Sequence, residues 1–407
     1  MAAPLFTTTP TRRSYDIVII GGAMYGSAVA WFLTDNSDFD GSILVIERDP
    51  SYEKSATAHT NSCIRQQFSN PLNVQISQFG AEFINGFRGF MGGDTRVPDL
   101  SIQSYGYMYL ADTEAFADSL RTSQAAQKLQ GAATQIMTPD QIKDAYPFYH
   151  TDDLLLGSIN LVNEGYWDGG TVFDWWRRSA RERGVEYLAG EVSSMTLSTS
   201  GARVESVTLA SGDVIACGQV VNASGPRGAR TALMAGIKIP VEPRKRFSWV
   251  FSAEQPLDRD LPLTIDPSGV HIRQDGPQTY LAGGHADYDP AVDFDDFEMD
   301  HGLWQDKVWP AIASRIPQFE AIKVITEWAG HYDYNTLDHN AILGPHSHVE
   351  NFFFVNGFSG HGLQQSPAMG RGTAEMLTYG EYRTLDLTPF GYERIMTGTP
   401  FSENAII

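Results

Sequence analysis

The first apolar run, "YDIVII", is short and β-branched, the pattern of a strand buried on both faces. "GGAMYG" interrupts it, the small and apolar "SAVAWFLT" follows with helical spacing, and "SILVIERD" is a second buried strand ending in acid. Strand, glycine turn, helix and strand in that order predict the opening of a parallel dinucleotide-binding sheet. No charge lies between Ile17 and Leu33, yet Gly21, Gly22 and Gly26 break this run and its length is marginal for a membrane span. A buried strand–turn–helix is expected there instead.

Further along, "TVFDWWRRSARERGVEYL" predicts an amphipathic helix stopped at Gly184 and followed by a strand. "VESVTLASGDVIACGQVVNASG" predicts a hairpin turning at Ser211-Gly212, then a buried strand ending in small residues. Two stretches have a different texture: mixed-face strands such as "SYGYMYLA", "RFSWVFSA" and "TYLAGG", and a polar helix near "QDKVWPAIASRI". The fold class expected is an α/β dinucleotide-binding, Rossmann-like domain plus an α+β substrate domain with a mainly antiparallel sheet. Residues 14–92, 157–238 and 324–395 are assigned to the first, 93–156 and 239–323 to the second. After the apolar "NFFFV" comes "GFSGHGLQQ", a turn stripped of side chains except at His361 and Gln364, with a helix expected from Ser366.

Composition narrows the function classes. The chain has 407 residues, enough for two domains, and a net charge of −20 that argues against a nucleic-acid partner. Cys63 and Cys217 are the only cysteines, with no metal-ligand spacing, so neither a disulfide framework nor a metal site is expected. The segment ahead of the first strand is short and lacks the apolar core of a signal peptide, so a cytoplasmic location is expected.

A pyrophosphate needs close backbone approach at a helix N-terminus, which glycines at Gly21 and Gly26 permit. The middle fingerprint position is Ala23, tolerable where its φ is negative. Glu47, ending the second strand, suits the adenosine ribose hydroxyls. No second fingerprint appears, so a second dinucleotide site, for a nicotinamide, is not supported. The polar stretch "SYEKSATAHTNSCIRQQFS" can hydrogen-bond phosphate and flavin oxygens.

Taken together, "DIVIIGGAMYG", "ILVIERD", "CIRQQFSNPLNVQIS", "VVNASG", "PVEPRKR", "QDKVWP", "WAGHYDYNTLDHNAILGP" and "GFSGHGLQQSPAMG" resemble the D-amino-acid oxidase superfamily of FAD enzymes over nearly the whole chain. That group includes glycine oxidase, sarcosine oxidase and D-arginine dehydrogenase. The likeness is nearest to a mitochondrial branch linked to respiratory complex I assembly and its bacterial relatives. The resemblance implies FAD, held noncovalently, and oxidation of an amine carbon beside a carboxylate. A hydride passes to the flavin, the imine hydrolyses in water, and O2 or another acceptor takes the electrons. An assembly role is the alternative the resemblance implies. Matching positions imply cofactor contacts at Gly21, Gly22, Ala23, Met24, Tyr25, Gly26, Glu47, Arg48, Ser55, Thr57, Asn61, Ser62, Val192, Ala223 and Gly225, and along Gly360, His361, Gly362, Leu363 and Gln364.

For the substrate, a small carboxylate-bearing amine, the resemblance points to Arg65 and Arg246, since a planar guanidinium suits a carboxylate. His271, Tyr332 and His361 are further pocket candidates. Four departures matter. Tyr332 stands where glycine oxidase has an arginine, and Gln364 where sarcosine oxidases have a carboxylate-binding lysine. Leu281 stands near the sarcosine oxidase lysine associated with oxygen activation, and His331 near the cysteine that binds flavin covalently. Two arginines on separate elements suggest a substrate with two carboxylates flanking a secondary amine, such as iminodiacetate, ahead of sarcosine.

Overall fold

The computed structural model describes residues 5–404; the first residues of the N-terminal segment, 1–4, and residues 405–407 lie outside it. The described chain forms two compact units. One is built from the chain up to Thr60, from Asp168–Pro243 and from His331–Ser402. The other comprises Asn61–Trp167, Arg244–Gly330 and the chain from Glu403.

In the first unit, the strand Ser14–Ile20 pairs in parallel with Ile43–Glu47 on one side and Val214–Asn222 on the other. Glu186–Ala189 and Phe352–Asn356 extend the sheet in parallel, and Ile342–Pro345 closes one edge antiparallel. Continuous apolar runs suit strands covered on both faces. Val18, Leu44, Val220 and Phe354 are all fully buried in one core cluster. The predicted hairpin is present, with Val204–Leu209 antiparallel to Val214–Asn222. The amphipathic helix spans Gly169–Glu182, and Gly184 follows it with φ +98°. The helix Met24–Asp35 and the long helix Gly362–Tyr379 touch where Gly370 faces Ala28; a Cβ at Gly370 would lie 2.7 Å from the alanine methyl. The long helix begins at Gly362, a turn earlier than the expected Ser366, and carries Pro367 inside it; the Leu363 carbonyl, which the proline cannot serve, accepts instead from Ser366 Oγ at 2.7 Å.

The second unit is a mainly antiparallel sheet. Its spatial order is Ile322–Asn335, Val241–Ala253, Thr279–Gly284, His271–Gln274, Leu263–Ile265, Tyr107–Ala111, Leu156–Asn160 and Gln135–Met137. Leu263–Ile265 and Tyr107–Ala111 run parallel. Two borders lie well away from those read in the sequence, while the later two shift only to Pro243/Arg244 and Gly330/His331. Leu156–Asn160 pairs with Tyr107–Ala111, so residues 157–167 belong to this unit. Cys63–Ile64 pairs with Gly165–Tyr166, and Glu164 accepts from the backbone N–H of Gln66 at 2.6 Å and from Gln67 Nε2 at 2.9 Å. These bonds carry residues 61–92 into the same unit.

Strand alternation gives this sheet two unlike faces. One bears Met108, Ile159, Phe247, Trp249, Phe251, Ile272 and Tyr280, all in a single apolar cluster. The other, by register, bears Arg246, Ser248, Gly283, Leu281, His271, Arg273, Tyr107, Tyr109 and Ser158.

Candidate active site

In the first unit the glycine turn leaves the end of Ser14–Ile20 and opens the helix Met24–Asp35. Gly21 has φ +97°, and a Cβ there would lie 2.4 Å from the carbonyl oxygen of Ala223. A Cβ on Gly26 would lie 1.8 Å from the carbonyl oxygen of Gly21. Both positions therefore demand glycine. Ala23 has φ −71°, which an alanine adopts freely, so its methyl group is compatible with the turn. Glu47 is buried, and its carboxylate accepts from the backbone N–H of Gly22 and of Asp49, both at 2.8 Å. Burial raises its pKa while those two bonds oppose the rise. Arg48 is exposed, Ser55 Oγ donates to the Tyr52 carbonyl at 2.7 Å, and Thr57 Oγ1 accepts from Met24 N at 3.3 Å. Val192 opens a strand opposite Leu209. Across the sheet, Asn222 steadies the turn through Ala223 and Gly225 by donating to the Gly228 carbonyl at 2.8 Å; Gly225 has φ +55° and open space around it.

The turn Gly357–Gly362 follows Phe352–Asn356 in the same unit. Three successive constraints shape it. Gly357, Ser359 and Gly360 all have positive φ, at +76°, +50° and +94°. Asp333 Oδ2 accepts from the N–H groups of Gly357 at 2.9 Å and Phe358 at 3.1 Å. Burial pushes the Asp333 carboxyl up to about 6. The ring of Tyr332 lies over Gly360, where a Cβ would come within 2.5 Å of Cε2. Tyr25 stacks on Phe358 at 3.9 Å between centroids and donates to the Gly362 carbonyl at 2.5 Å. His361 caps the helix, and both it and Gln364 are buried. Leu363 packs on Gly169.

In the second unit, the polar face of the sheet gathers cations. Arg65 is 1% exposed, donates to the Gln67 carbonyl at 2.5 Å and lies over the Phe68 ring at 4.1 Å, with Tyr107 and Tyr109 beside it. Arg246 pairs with Asp289 at 3.0 Å, and Arg244 approaches the same carboxylate at 4.0 Å, whereas Lys245 pairs with Asp296. The opposed directions follow from strand alternation. Arg273 is 4% exposed, pairs with Asp275 at 3.0 Å and stacks on Tyr166. His271 is buried, and Asn61 Nδ2 stands 2.7 Å from its Nε2. Burial, then Arg273, Arg246 and His285, push the His271 pKa down to about 3.

The family model "FAD dependent oxidoreductase" matches residues 16–376. The chain belongs to the FAD-dependent oxidoreductase family. It is 37% identical to FAD-dependent oxidoreductase domain-containing protein 1 of Xenopus laevis, over 99% of this chain and 87% of that one. It is 22% identical to sarcosine oxidase subunit beta of Rhodobacter capsulatus, covering 97% of this chain and 91% of that one. Among solved structures, L-proline dehydrogenase from P. horikoshii superposes with a TM-score of 0.82 at 24% identity, covering 95% and 99% of the two chains.

As an FAD-dependent oxidoreductase, the chain has a nucleotide end that fits the cofactor. Backbone replaces side chain at Gly21 and Gly26, a helix N-terminus lies beyond, and a buried carboxylate stands at the next strand's end. A groove of about 600 Å³ touching Ser14, Ser42 and Ala216 sits instead where those strands begin, the end such sheets leave unused. The first unit brings together the expected cofactor residues from Gly21 to Thr57 with Val192, Ala223, Gly225 and Gly360–Gln364, as well as Tyr332. Asn61, Ser62, Arg65, Arg246 and His271 fall in the second unit. Sequence reasoning passed over Asp333, Arg273 and Gly283. Alternation from His271 points to Arg273; the other two carry no local signal.

Proposed function

We propose that this FAD-dependent oxidoreductase oxidises a small secondary-amine acid, an N-substituted glycine with iminodiacetate first and sarcosine-like N-methyl amino acids next. One observation carries the reading: a protein of net charge −20 gathers buried Arg65 and Arg273, a half-buried Arg246 and a neutral imidazole along one sheet face. Such a concentration of cations suits a carboxylate-bearing ligand. Gly21, Gly22, Ala23, Met24, Tyr25, Gly26 and Glu47 would hold the adenosine and pyrophosphate of FAD, and Gly360–Gln364 its ring, without a covalent bond. Bound FAD supplies the two-electron acceptor. Arg65 and Arg246 each take a carboxylate. Arg246 shares its charge with Asp289, so its clamp is the weaker one. The imine product leaves and hydrolyses in water.

Oxygen is the proposed electron acceptor. Leu281, 1% exposed on the same polar-side register as His271 and Arg273, favours a second reading in which another acceptor replaces it. An anaerobic bleaching screen of the purified yellow protein over N-substituted glycines and D-amino acids tests the reaction. Bleaching by iminodiacetate or sarcosine supports it; bleaching by neither sinks it. Repeating the assay in air with a peroxide readout separates the two acceptors. For the two-clamp arrangement, Arg65→Ala and Arg246→Ala should each lower kcat/KM for iminodiacetate about 100-fold or more. Unchanged values for both substrates would remove it.

A further inference from the structure

The backbone of Tyr25 lies in the glycine turn Gly21–Gly26, while its side chain meets a second turn, Gly357–Gly362, whose last residue is 337 positions further along the chain. The Tyr25 ring stacks on Phe358 with 3.9 Å between centroids and the planes 12° apart, and its hydroxyl donates to the Gly362 carbonyl at 2.5 Å. The fit is close, since a Cβ on Gly362 would lie 3.3 Å from Tyr25 Cε2 and from Phe358 Cβ. Burial, and then the charge of Asp333, raise the hydroxyl well above the usual phenol range, so it stays protonated and keeps donating. Both turns belong to the first unit.

The second turn does not keep its shape unaided. Gly357, Ser359 and Gly360 are left-handed, and Ser359 is strained there because it carries a Cβ. The end of the strand Ile322–Asn335 holds the first half. Asp333 accepts from Gly357 and Phe358 through its carboxylate and from Ser359 N at 3.1 Å through its carbonyl, while Asn335 N donates to Ser359 Oγ at 3.0 Å. The far end is held differently. His361 stands at the start of the helix Gly362–Tyr379 without a side-chain cap bond, and Tyr25 bonds the next residue. Since Tyr25 is the second residue of the helix Met24–Asp35, the start of one helix is tied to the start of the other.

A ligand that fixes the glycine turn fixes the backbone from which the Tyr25 ring extends, and the ring in turn fixes Phe358 and Gly362. We propose that Tyr25 is a positioning residue that couples the two turns, so that a nucleotide held at Gly21–Gly26 tightens the hold on a flavin ring at Gly360–Gln364. This rests on the assignment of those two segments to the two ends of FAD. Coupling of this kind is reciprocal, so the ring tightens the nucleotide by the same factor. FAD is then retained as a whole, and its separate parts bind better together than either does alone.

The test uses the full-length apoprotein with ADP and with lumiflavin, a flavin ring without the ribityl chain, affinities being measured by fluorescence and calorimetry. The two probes stand for separate parts of FAD, so coupling between them passes through the protein. Saturating ADP should lower the lumiflavin Kd about 5- to 20-fold, and lumiflavin should lower the ADP Kd equally. Tyr25→Ala should bring this factor below about 2, and Tyr25→Phe, which keeps the stack without the hydrogen bond, should fall between. A factor of about 1 in the parent, or the parent's factor persisting in Tyr25→Ala, overturns the proposal. Gly360→Ala shows which premise failed, since it should weaken lumiflavin about fivefold or more. If lumiflavin ignores that change or does not bind the parent, the ring assignment fails and the coupling with it. If lumiflavin is weakened but the factor survives in Tyr25→Ala, the assignment stands and the coupling alone falls.

Discussion

At Gly360 two requirements coincide, a left-handed φ of +94° and the Tyr332 ring in the space a Cβ would take. Gly360→Ala should therefore cost about 2 kcal/mol in urea unfolding and speed FAD loss on dilution. Adding Tyr332→Ala should restore only the part due to the clash; full recovery would show that backbone strain contributes nothing. Asp333 makes a second prediction, through pH. Its unfolded carboxyl titrates near 3.8 and its folded one at about 6, so the folded state binds the proton more tightly. The stability from this group is fully present below pH 3.8 and declines as pH rises to 6. Asp333→Asn keeps an acceptor for Gly357 and Phe358 and removes the titration. Its stability relative to the parent should rise by on the order of 2 kcal/mol between pH 4 and 7. A difference that does not move with pH would mean that Asp333 does not titrate there. Gly21 and Gly26 were legible because a turn between two apolar strands has few uses. Asp333 was not, because its partners lie 24 and 25 residues away and an acid in a strand announces nothing.

Among the elements, the strand that displaced a domain border is instructive. Leu156–Asn160 is buried throughout, yet its sequence "LGSIN" has little β-branched character, and tertiary pairing on both sides decides its state. The long helix was legible in type but not in start, since glycines that free a turn also fit the first turn of a helix. The helix Pro71–Asn85 shows a support that local pattern could not reveal. Buried Glu403 accepts from Ser69 N, Ser69 Oγ, Asn70 N and Asn73 Nδ2, between 2.7 and 3.1 Å, at that helix's start. Glu403→Ala leaves those donors to find water and should cost about 3 kcal/mol by urea unfolding. Glu403→Gln should recover part of it. A loss below about 0.5 kcal/mol would show the contact to be incidental.

For the molecule as a whole, the α/β class and the presence of two units followed from the order of apolar runs, and the family from motifs spread along the chain. The polar sheet face was hidden because its members come from strands far apart in sequence. FAD bound only to the folded protein should add about 2.7 kcal/mol of stability at a free concentration a hundredfold above Kd. A melting temperature of the apoprotein that ignores added FAD would contradict this. Both units are stitched from three separated stretches, and this has a consequence for synthesis on the ribosome. The first 330 residues emerge without the Gly357–Gly362 turn and without Glu403. Neither unit is complete while the chain is still being made, so the first unit gains its last stretch only late in synthesis. Flavin supply then becomes a checkpoint on how much newly made protein survives, a quantity that riboflavin limitation in growing cells would reveal.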